Sequence, residues 1–212
     1  MLILLANIGN ILLIFNLILF SIGFRKQQKA FKIFACYLGV IFIIQMASKI
    51  LISFHFQNLY LSHFYFIGQF ILLSFFYWTL LKKEYQKKII KISLVVCLLA
   101  LGIQYSISTD LFFKFNLFEI FITSFLIIIF TTFHFYNLLN EKKEYYYINI
   151  GILMYLFGST ILFLVGNLMS SLSSKLNLIP WILNAFLYIV YQLFILFEWK
   201  KSFSKKGINI TV

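Results

Sequence analysis

The sequence predicts an all-α, polytopic membrane protein: a bundle of seven transmembrane helices with its amino terminus outside and its carboxyl terminus in the cytoplasm. Three observations lead to this fold class. Of the 212 residues, 62% are hydrophobic and 11% are charged, whereas about a quarter of a soluble domain is charged. Seven apolar stretches, each near the roughly 20 residues that a span requires, alternate with short polar connections. The basic residues are sorted unevenly between those connections.

The sorting of basic residues sets the predicted orientation. Most of the 18 Lys and Arg residues lie in the first, third and fifth connections and in the tail. The second, fourth and sixth connections hold only Lys114 and Lys175, and Lys49 falls inside an apolar stretch. Lysine and arginine near helix ends stay on the cytoplasmic side. The pattern therefore places the amino end outside and the carboxyl end inside.

The first three predicted helices are bounded by charge and by an interfacial aromatic ring. The seven spans are expected at about 2–23, 32–54, 60–81, 89–107, 112–138, 147–170 and 178–199, with ends uncertain by a few residues. Helix 1 ends at the basic cluster that opens with Arg25, and helix 2 begins behind that cluster. Helix 3 carries Trp78 near its inner end, a depth that amphipathic rings prefer.

The last four predicted helices have similar signals. Helix 4 follows the lysine-rich third connection, helix 5 ends before Lys142, and helix 6 opens after Tyr145 at the inner surface. Helix 7 has Pro180 in its first turn, where a missing N–H costs nothing, and Trp199 at its inner end. Three glycines of helix 6 are spaced seven and eight residues apart and predict a packing seam; they are Gly151, Gly158 and Gly166.

Seven spans leave room only for short loops, so the sequence predicts one transmembrane domain, residues 1–200, and a short basic cytoplasmic tail, residues 201–212. The basic connections and tail are expected to contact anionic lipid of the bilayer and a cytoplasmic partner, not nucleic acid. The residues assigned to that partner contact are Arg25, Lys26, Lys82, Lys83, Lys87, Lys88, Lys200 and Lys201.

Polar residues in the outer halves of the spans are the candidate ligand-binding site. Lys49 and Glu119 have opposite charges and lie roughly 8–11 Å below the outer surface, from a rise of 1.5 Å per residue. Intramembrane charges are functional candidates, so the pair predicts an outward-opening pocket that holds a ligand or a proton. The alternatives are a structural ion pair, or Lys49 extending to the surface. The whole polar cluster is Lys49, Glu119, Gln45, Gln69, Asn167, Asn184 and Tyr188; its amides could equally link helices.

The sequence predicts no catalytic residues, no metal site and no cofactor. It lacks an HExxH motif, a phosphate-binding loop and an aspartate-rich prenyl-transfer motif. His55 and His63 flank the outer connection between helices 2 and 3, but two histidines without carboxylates make a weak surface metal site. Cys36 and Cys97 both fall within spans, so no disulfide is expected. An enzyme is therefore not the predicted function.

Helices 6 and 7 resemble the end of small stand-alone bacterial seven-helix proteins that are encoded beside histidine kinases. The resemblance rests on Tyr155, Gly158 and Ser159, on Asn167, and on Trp181 with Asn184, followed by a Trp-Lys ending at 199–200. It covers about 60 residues well and the rest only in layout. It implies a membrane sensor or regulatory accessory with a cytoplasmic signalling partner such as a histidine kinase.

The predicted function is therefore a non-enzymatic sensor or regulatory accessory of a bacterial inner membrane. The bacterial assignment rests on the heavy use of residues such as Phe (28) and Tyr (13), which is typical of an AT-rich genome. The predicted mechanism couples the outer polar cluster to a cytoplasmic partner. Two alternatives stay open: a small transporter or channel, and a membrane accessory of a bacterial defence system. The oligomeric state also stays open, a homo-oligomer included.

Overall fold

The computed structural model describes residues 1–22, 24–140, 142–172 and 178–203, and all regular elements within these ranges are helical. Seven helices are long and apolar enough to cross a membrane, which confirms the all-α class and the seven predicted helices. They are α1 (Leu2–Ser21), α2 (Lys29–Ser53), α3 (Tyr60–Leu80), α4 (Glu84–Ile107), α5 (Leu117–Leu138), α6 (Tyr146–Leu172) and α7 (Leu178–Glu198). Short 3₁₀ helices at Phe24–Lys26 and Thr109–Phe113 and a π-helix at Trp199–Phe203 join or extend them.

Large apolar side chains cover much of the molecular surface. Ile3 is 78% exposed, and Ile103 and Phe157 are each 60% exposed. Soluble monomers rarely expose contiguous apolar patches above a few hundred Å². Exposed apolar side chains recur along α1, α4 and α6. Together with the seven apolar helices, this surface indicates a multi-pass membrane protein.

Two helix starts differ from the sequence prediction. The expected start of α4 was about residue 89, but the helix begins at Glu84, so Lys87 and Lys88 lie on its first turns rather than in a loop. Glutamate, glutamine and lysine form helix readily outside the apolar region, and the Glu84 carboxylate pairs with Lys87 Nζ at 2.9 Å. The expected start of α5 was about residue 112, but the helix begins at Leu117 after a 3₁₀ turn.

The chain divides into two compact units. Unit 1 comprises residues 1–26 and 135–212, and unit 2 comprises residues 27–134. Helices α1, α6 and α7 therefore belong to unit 1. Helices α2, α3 and α4 and nearly all of α5 belong to unit 2.

The predicted glycine seam of α6 is confirmed inside unit 1. A Cβ atom built on Gly151 would lie 2.9 Å from Cβ of Phe194, and one built on Gly158 would lie 2.6 Å from Cδ1 of Leu187. Gly166 faces Pro180 in the same way, at 3.4 Å. All three partners lie on α7. Without side chains at the glycines, the two helices approach closely, which favours packing in lipid.

Polar contacts join α1 to α7 in unit 1. Asn16 Nδ2 donates to both the backbone oxygen and Oε1 of Gln192, each at 2.9 Å. The indole N–H of Trp199 donates to the backbone oxygen of Leu19 at 3.0 Å. Both Asn16 and Gln192 are buried. These contacts are hydrogen bonds between helices, a role that buried amides often have in membranes.

Aromatic packing and a hydrogen bond join the helices of unit 2. The rings of Phe34 on α2 and Phe76 on α3 lie 5.2 Å apart, and both residues are fully buried. Thr131 on α5 donates to the hydroxyl of Tyr77 on α3 at 2.9 Å.

At the end of α2, His55 has a φ of 60° and its N–H donates to the oxygen of Ile52. The N–H of the next residue, Phe56, donates to the oxygen of Leu51 at 2.9 Å. These two bonds form a Schellman ending, so the exposed His55 has a structural role.

Candidate functional site

Asn116 begins the candidate site because it caps α5 and positions Glu119. The backbone oxygen of Asn116 accepts the first helical bond, from the N–H of Ile120. Its side-chain oxygen accepts a hydrogen bond from the N–H of Glu119 at 3.3 Å. Asparagine at the N-cap with glutamate three residues later is a capping-box pattern. The helix start also favours a carboxylate in this turn.

Three ionisable side chains from three helices meet at Glu119. Its Oε2 lies 2.9 Å from Nδ1 of His63, which is in the first turn of α3. The hydroxyl of Tyr105, in the last turn of α4, contacts the same Oε2 and lies 2.8 Å from His63 Nδ1. Asn116 Nδ2 donates to the Tyr105 oxygen at 3.0 Å. We call His63, Tyr105, Asn116 and Glu119 the acid–base cluster.

An aromatic cover closes the acid–base cluster. Phe112, in the 3₁₀ turn between α4 and α5, stacks on the imidazole of His63 with centroids 5.4 Å apart and an interplanar angle of 26°. The same ring meets Tyr105 edge-on and packs against Tyr60 and Phe64. As a result, Glu119 is 0% exposed and His63 is 2% exposed. The cluster is held in an apolar environment where hydrogen bonds and charges interact strongly.

Two buried atoms of the cluster have no hydrogen-bond partner among the described residues. They are Oε1 of Glu119 and Nε2 of His63. Leaving a buried polar atom unsatisfied costs about 1–3 kcal/mol. Such atoms are few in native proteins and call for a specific explanation, a functional role being one. The cluster therefore has hydrogen-bonding capacity beyond what holds it together.

The shared contacts allow two hydrogen-bond arrangements. With Nδ1 protonated, His63 donates to Glu119 Oε2. With Nδ1 unprotonated, it can accept the hydroxyl proton of Tyr105, which otherwise donates to the carboxylate. The Tyr105 hydroxyl therefore has an acceptor on α3 and another on α5 within reach. Within the described chain, no group of three His, Cys, Asp or Glu side chains could hold a metal ion.

The predicted site residues in unit 2 have different environments. Glu119 is buried in the cluster, whereas Lys49 is exposed near the end of α2 and Gln45 is half-buried one turn earlier. Gln69 is buried on α3, and its Oε1 has no partner within the described ranges. The contacts of Glu119 with His63 and Tyr105 were not foreseen, and the pairing with Lys49 stays a prediction. His63 was expected at the surface; it is buried because the cover formed by Phe112 lies over it.

The other predicted site residues belong to unit 1. Asn167 is exposed on α6, and Asn184 is half-buried on α7 with its Oδ1 unpartnered among the described residues. Tyr188 is buried against Tyr155 and Tyr191, at ring distances of 5.7 and 6.5 Å. Tyr188 therefore packs among aromatic rings. A single pocket that includes these residues stays a prediction.

The predicted partner-contact residues form the basic ends of the helices. All are exposed except Lys87, which is half-buried. Lys201 Nζ donates to the hydroxyl of Tyr147 at 2.6 Å and lies over its ring. Lys205 and Lys206, which the prediction placed in the tail, lie outside the described residues, as does Lys175.

Three members of the cluster were missed in the sequence. Asn116 had a readable signal, the spacing Asn-x-x-Glu just before an apolar run. His63 and Tyr105 had none beyond their predicted depth, which many aromatic residues of this chain share. Their meeting depends on the rotation of α3 and α4 about their axes, which depth does not reveal.

Comparisons with protein-family models, with curated proteins and with solved structures found no match to this chain. The resemblance of helices 6 and 7 to small seven-helix proteins therefore stays a prediction. A functional argument for this chain rests on its own residues, above all on the acid–base cluster.

Proposed function

We propose that the protein is a non-enzymatic sensor and regulatory accessory of a bacterial inner membrane, with its amino terminus outside and its carboxyl terminus in the cytoplasm. Its stimulus is protonation of the acid–base cluster near the outer surface. One observation carries this proposal: Glu119, His63 and Tyr105 share a buried set of hydrogen bonds, and two of their atoms lack partners among the described residues. Ionisable groups inside membranes mark functional sites by default.

The contacts of the cluster support a response to protons. Nδ1 of His63 contacts both a carboxylate and a phenol, so its hydrogen bonds depend on whether that nitrogen holds a proton. A stimulus can shift a conformational equilibrium only through different affinities for two states. The two possible acceptors of the Tyr105 hydroxyl provide such states, since one bonds α4 to α5 and the other bonds α4 to α3.

The layout of unit 2 supports coupling from the acid–base cluster to the opposite ends of α3 and α4, where lysines are concentrated. We call these the basic end of unit 2. His63 is at the start of α3, and Lys82 and Lys83 follow its end. Tyr105 is in the last turn of α4, whose first turns carry Lys87 and Lys88. At 1.5 Å per residue, the 21 residues of α3 span about 32 Å and the 24 residues of α4 span about 36 Å. A shift of either helix at the cluster is therefore transmitted to exposed lysines, which we propose contact a cytoplasmic protein such as a histidine kinase.

Crosslinking in native membranes tests this proposal. The protein is crosslinked at about pH 5.5 and about pH 7.5, on either side of the ordinary histidine range, and its partners are quantified by mass spectrometry. We expect a cytoplasmic signalling protein whose recovery changes by about tenfold, equivalent to a coupling free energy of about 1.4 kcal/mol. In Glu119→Gln the recovery should no longer depend on pH, because the carboxylate that His63 and Tyr105 both contact is lost.

Asp110→Asn is the matched control, because it removes an exposed carboxylate only nine residues away, which lies 3.9 Å from Nζ of Lys114. It should respond to pH as the native protein does. Failure to recover any cytoplasmic protein, or equal recovery at both pH values, would contradict the proposal. Recovery of a nuclease or another defence protein would replace the signalling role with the defence alternative.

A small proton-linked transporter is the second candidate, and the buried carboxylate of Glu119 favours it because such groups form proton relays in pumps and transporters. Proton entry into liposomes that contain the protein separates the two functions. The sensor proposal predicts the same rate as in empty liposomes. A faster rate that Glu119→Gln abolishes and Asp110→Asn retains would instead establish a transport pathway.

A further inference from the structure

We infer that a groove between α3 and α4, at the basic end of unit 2, binds one anionic phospholipid. The groove has a volume of about 190 Å³ and is lined by Ser74, Phe75, Trp78, Ile90, Lys91 and Leu94. Four of these six side chains are apolar. The inference does not depend on the acid–base cluster, whose two members on these helices, His63 and Tyr105, lie at the opposite ends of α3 and α4.

Two cations mark the polar end of the groove. Lys91 lines the groove and is exposed. Lys29, at the start of α2, holds its Nζ 5.5 Å from the ring centroid of Trp78, another lining residue. The lining contains no Asp or Glu. The nearby Glu84 carboxylate is paired with Lys87. One lysine in the lining and a second against the indole ring of the lining therefore favour an anion.

Ser74 contributes a buried hydroxyl to the wall of the apolar groove. It is 1% exposed, and its hydroxyl oxygen has no hydrogen-bond partner within the described residues. A serine in a helix commonly donates to the backbone oxygen four residues earlier. An ester oxygen at the top of an acyl chain is a suitable acceptor for the free hydroxyl. The groove thus offers a basic mouth, one hydroxyl and apolar walls.

This sequence of environments matches a phospholipid. The phosphate lies between Lys91 and Lys29, the glycerol ester reaches Ser74, and one acyl chain lies along Phe75, Ile90 and Leu94. Basic pockets between transmembrane helices bind anionic lipid head groups. Trp78 is an interfacial ring at the depth where head group and acyl chain meet. A zwitterionic lipid would bring its own cation towards two lysines, so an anionic head group is favoured.

Quenching of Trp78 by brominated lipid tests the inference. The variant Trp181→Phe/Trp199→Phe leaves Trp78 as the only tryptophan of the three. It is placed in phosphatidylcholine vesicles that contain either dibromo-phosphatidylglycerol or dibromo-phosphatidylcholine. We expect half-maximal quenching at an at least about fivefold lower mole fraction of the anionic lipid, since one lysine near the surface changes lipid affinity by about that factor.

Three further arms keep the test decisive. Lys91→Gln should lower the preference for the anionic lipid about fivefold, whereas Lys88→Gln, which removes an exposed lysine one turn away outside the groove, should keep it. Leu94→Phe should weaken quenching by both lipids, because it fills the groove. Inorganic phosphate should not change the quenching at matched ionic strength. Equal quenching by the two lipids, retention of the preference in Lys91→Gln, or displacement by free phosphate would overturn the assignment.

Discussion

Replacing His63 with leucine is expected to lower the free energy of unfolding by about 3 kcal/mol, because it leaves a buried carboxylate without its imidazole partner. Glu119 is fully buried, and Nδ1 of His63 lies 2.9 Å from its carboxylate. Tyr105 still donates to Oε2 in this variant, but Oε1 stays unpartnered. The loss is measured by unfolding the protein in mixed micelles with increasing mole fractions of denaturing detergent.

The triple variant His63→Leu/Tyr105→Phe/Glu119→Leu is expected to recover most of that loss. Apolar side chains of similar volume in place of a buried polar group are often neutral or stabilising, since no desolvated charge remains. The triple variant should therefore unfold within about 1 kcal/mol of the native protein, or above it. It should also lose the pH-dependent recovery of the cytoplasmic partner.

These two outcomes separate a functional cluster from a structural one. A cluster whose removal does not reduce stability yet abolishes the response serves the response. If the triple variant were instead less stable than His63→Leu alone, the polar contacts would be holding α3, α4 and α5 together. The proposed sensor role would then lose its main support. Asp110→Asn is again the control. The carboxylate that it removes is exposed, so the free energy of unfolding should not change.

The seven helices were predictable because their signals are one-dimensional. Hydropathy and the positions of lysines are read along the chain, and they locate spans without any knowledge of packing. The start of α4 was misplaced because Lys87 and Lys88 were assigned to a loop, although they are good helix formers in a polar setting. The start of α5 was misplaced because the capping pattern of Asn116 and Glu119 was not used.

The candidate site was only partly predictable because it depends on helix rotation. In a soluble protein the apolar stripe of a helix shows which face is buried. Here the lipid-facing side is as apolar as the core, so Phe64, which is exposed, and Phe70, which is buried, cannot be told apart by hydropathy. The predicted depth of Glu119 identified it as a candidate site residue. Its pairing with Lys49 was predicted from their similar depth and opposite charges. Histidine and tyrosine carry no fixed charge, so charge gave no reason to match Glu119 with His63 and Tyr105.

Gly151→Leu is expected to lower the free energy of unfolding by about 3 kcal/mol, near the upper end of the usual cost of overpacking. A Cβ atom at this position would lie 2.9 Å from Cβ of Phe194 and 3.0 Å from Cδ2 of Tyr191. Cβ of Phe194 cannot move by a rotamer change, since it is fixed by the backbone of α7. The helices must separate, and their close contact is lost.

Two other glycines show whether this loss comes from the interface. Gly102 on α4 has no atom within 4 Å of a built Cβ, so Gly102→Leu should retain or raise stability, because a glycine inside a helix costs roughly 0.5–1 kcal/mol relative to alanine. Gly158→Ala should fall between these extremes, since the atom it meets is Cδ1 of Leu187, the far end of a flexible side chain. Equal losses for Gly151→Leu and Gly102→Leu would show that any large side chain disturbs the bundle. If the loss of stability is confined to Gly151→Leu and, more weakly, Gly158→Ala, then α7 packs against the glycine face of α6.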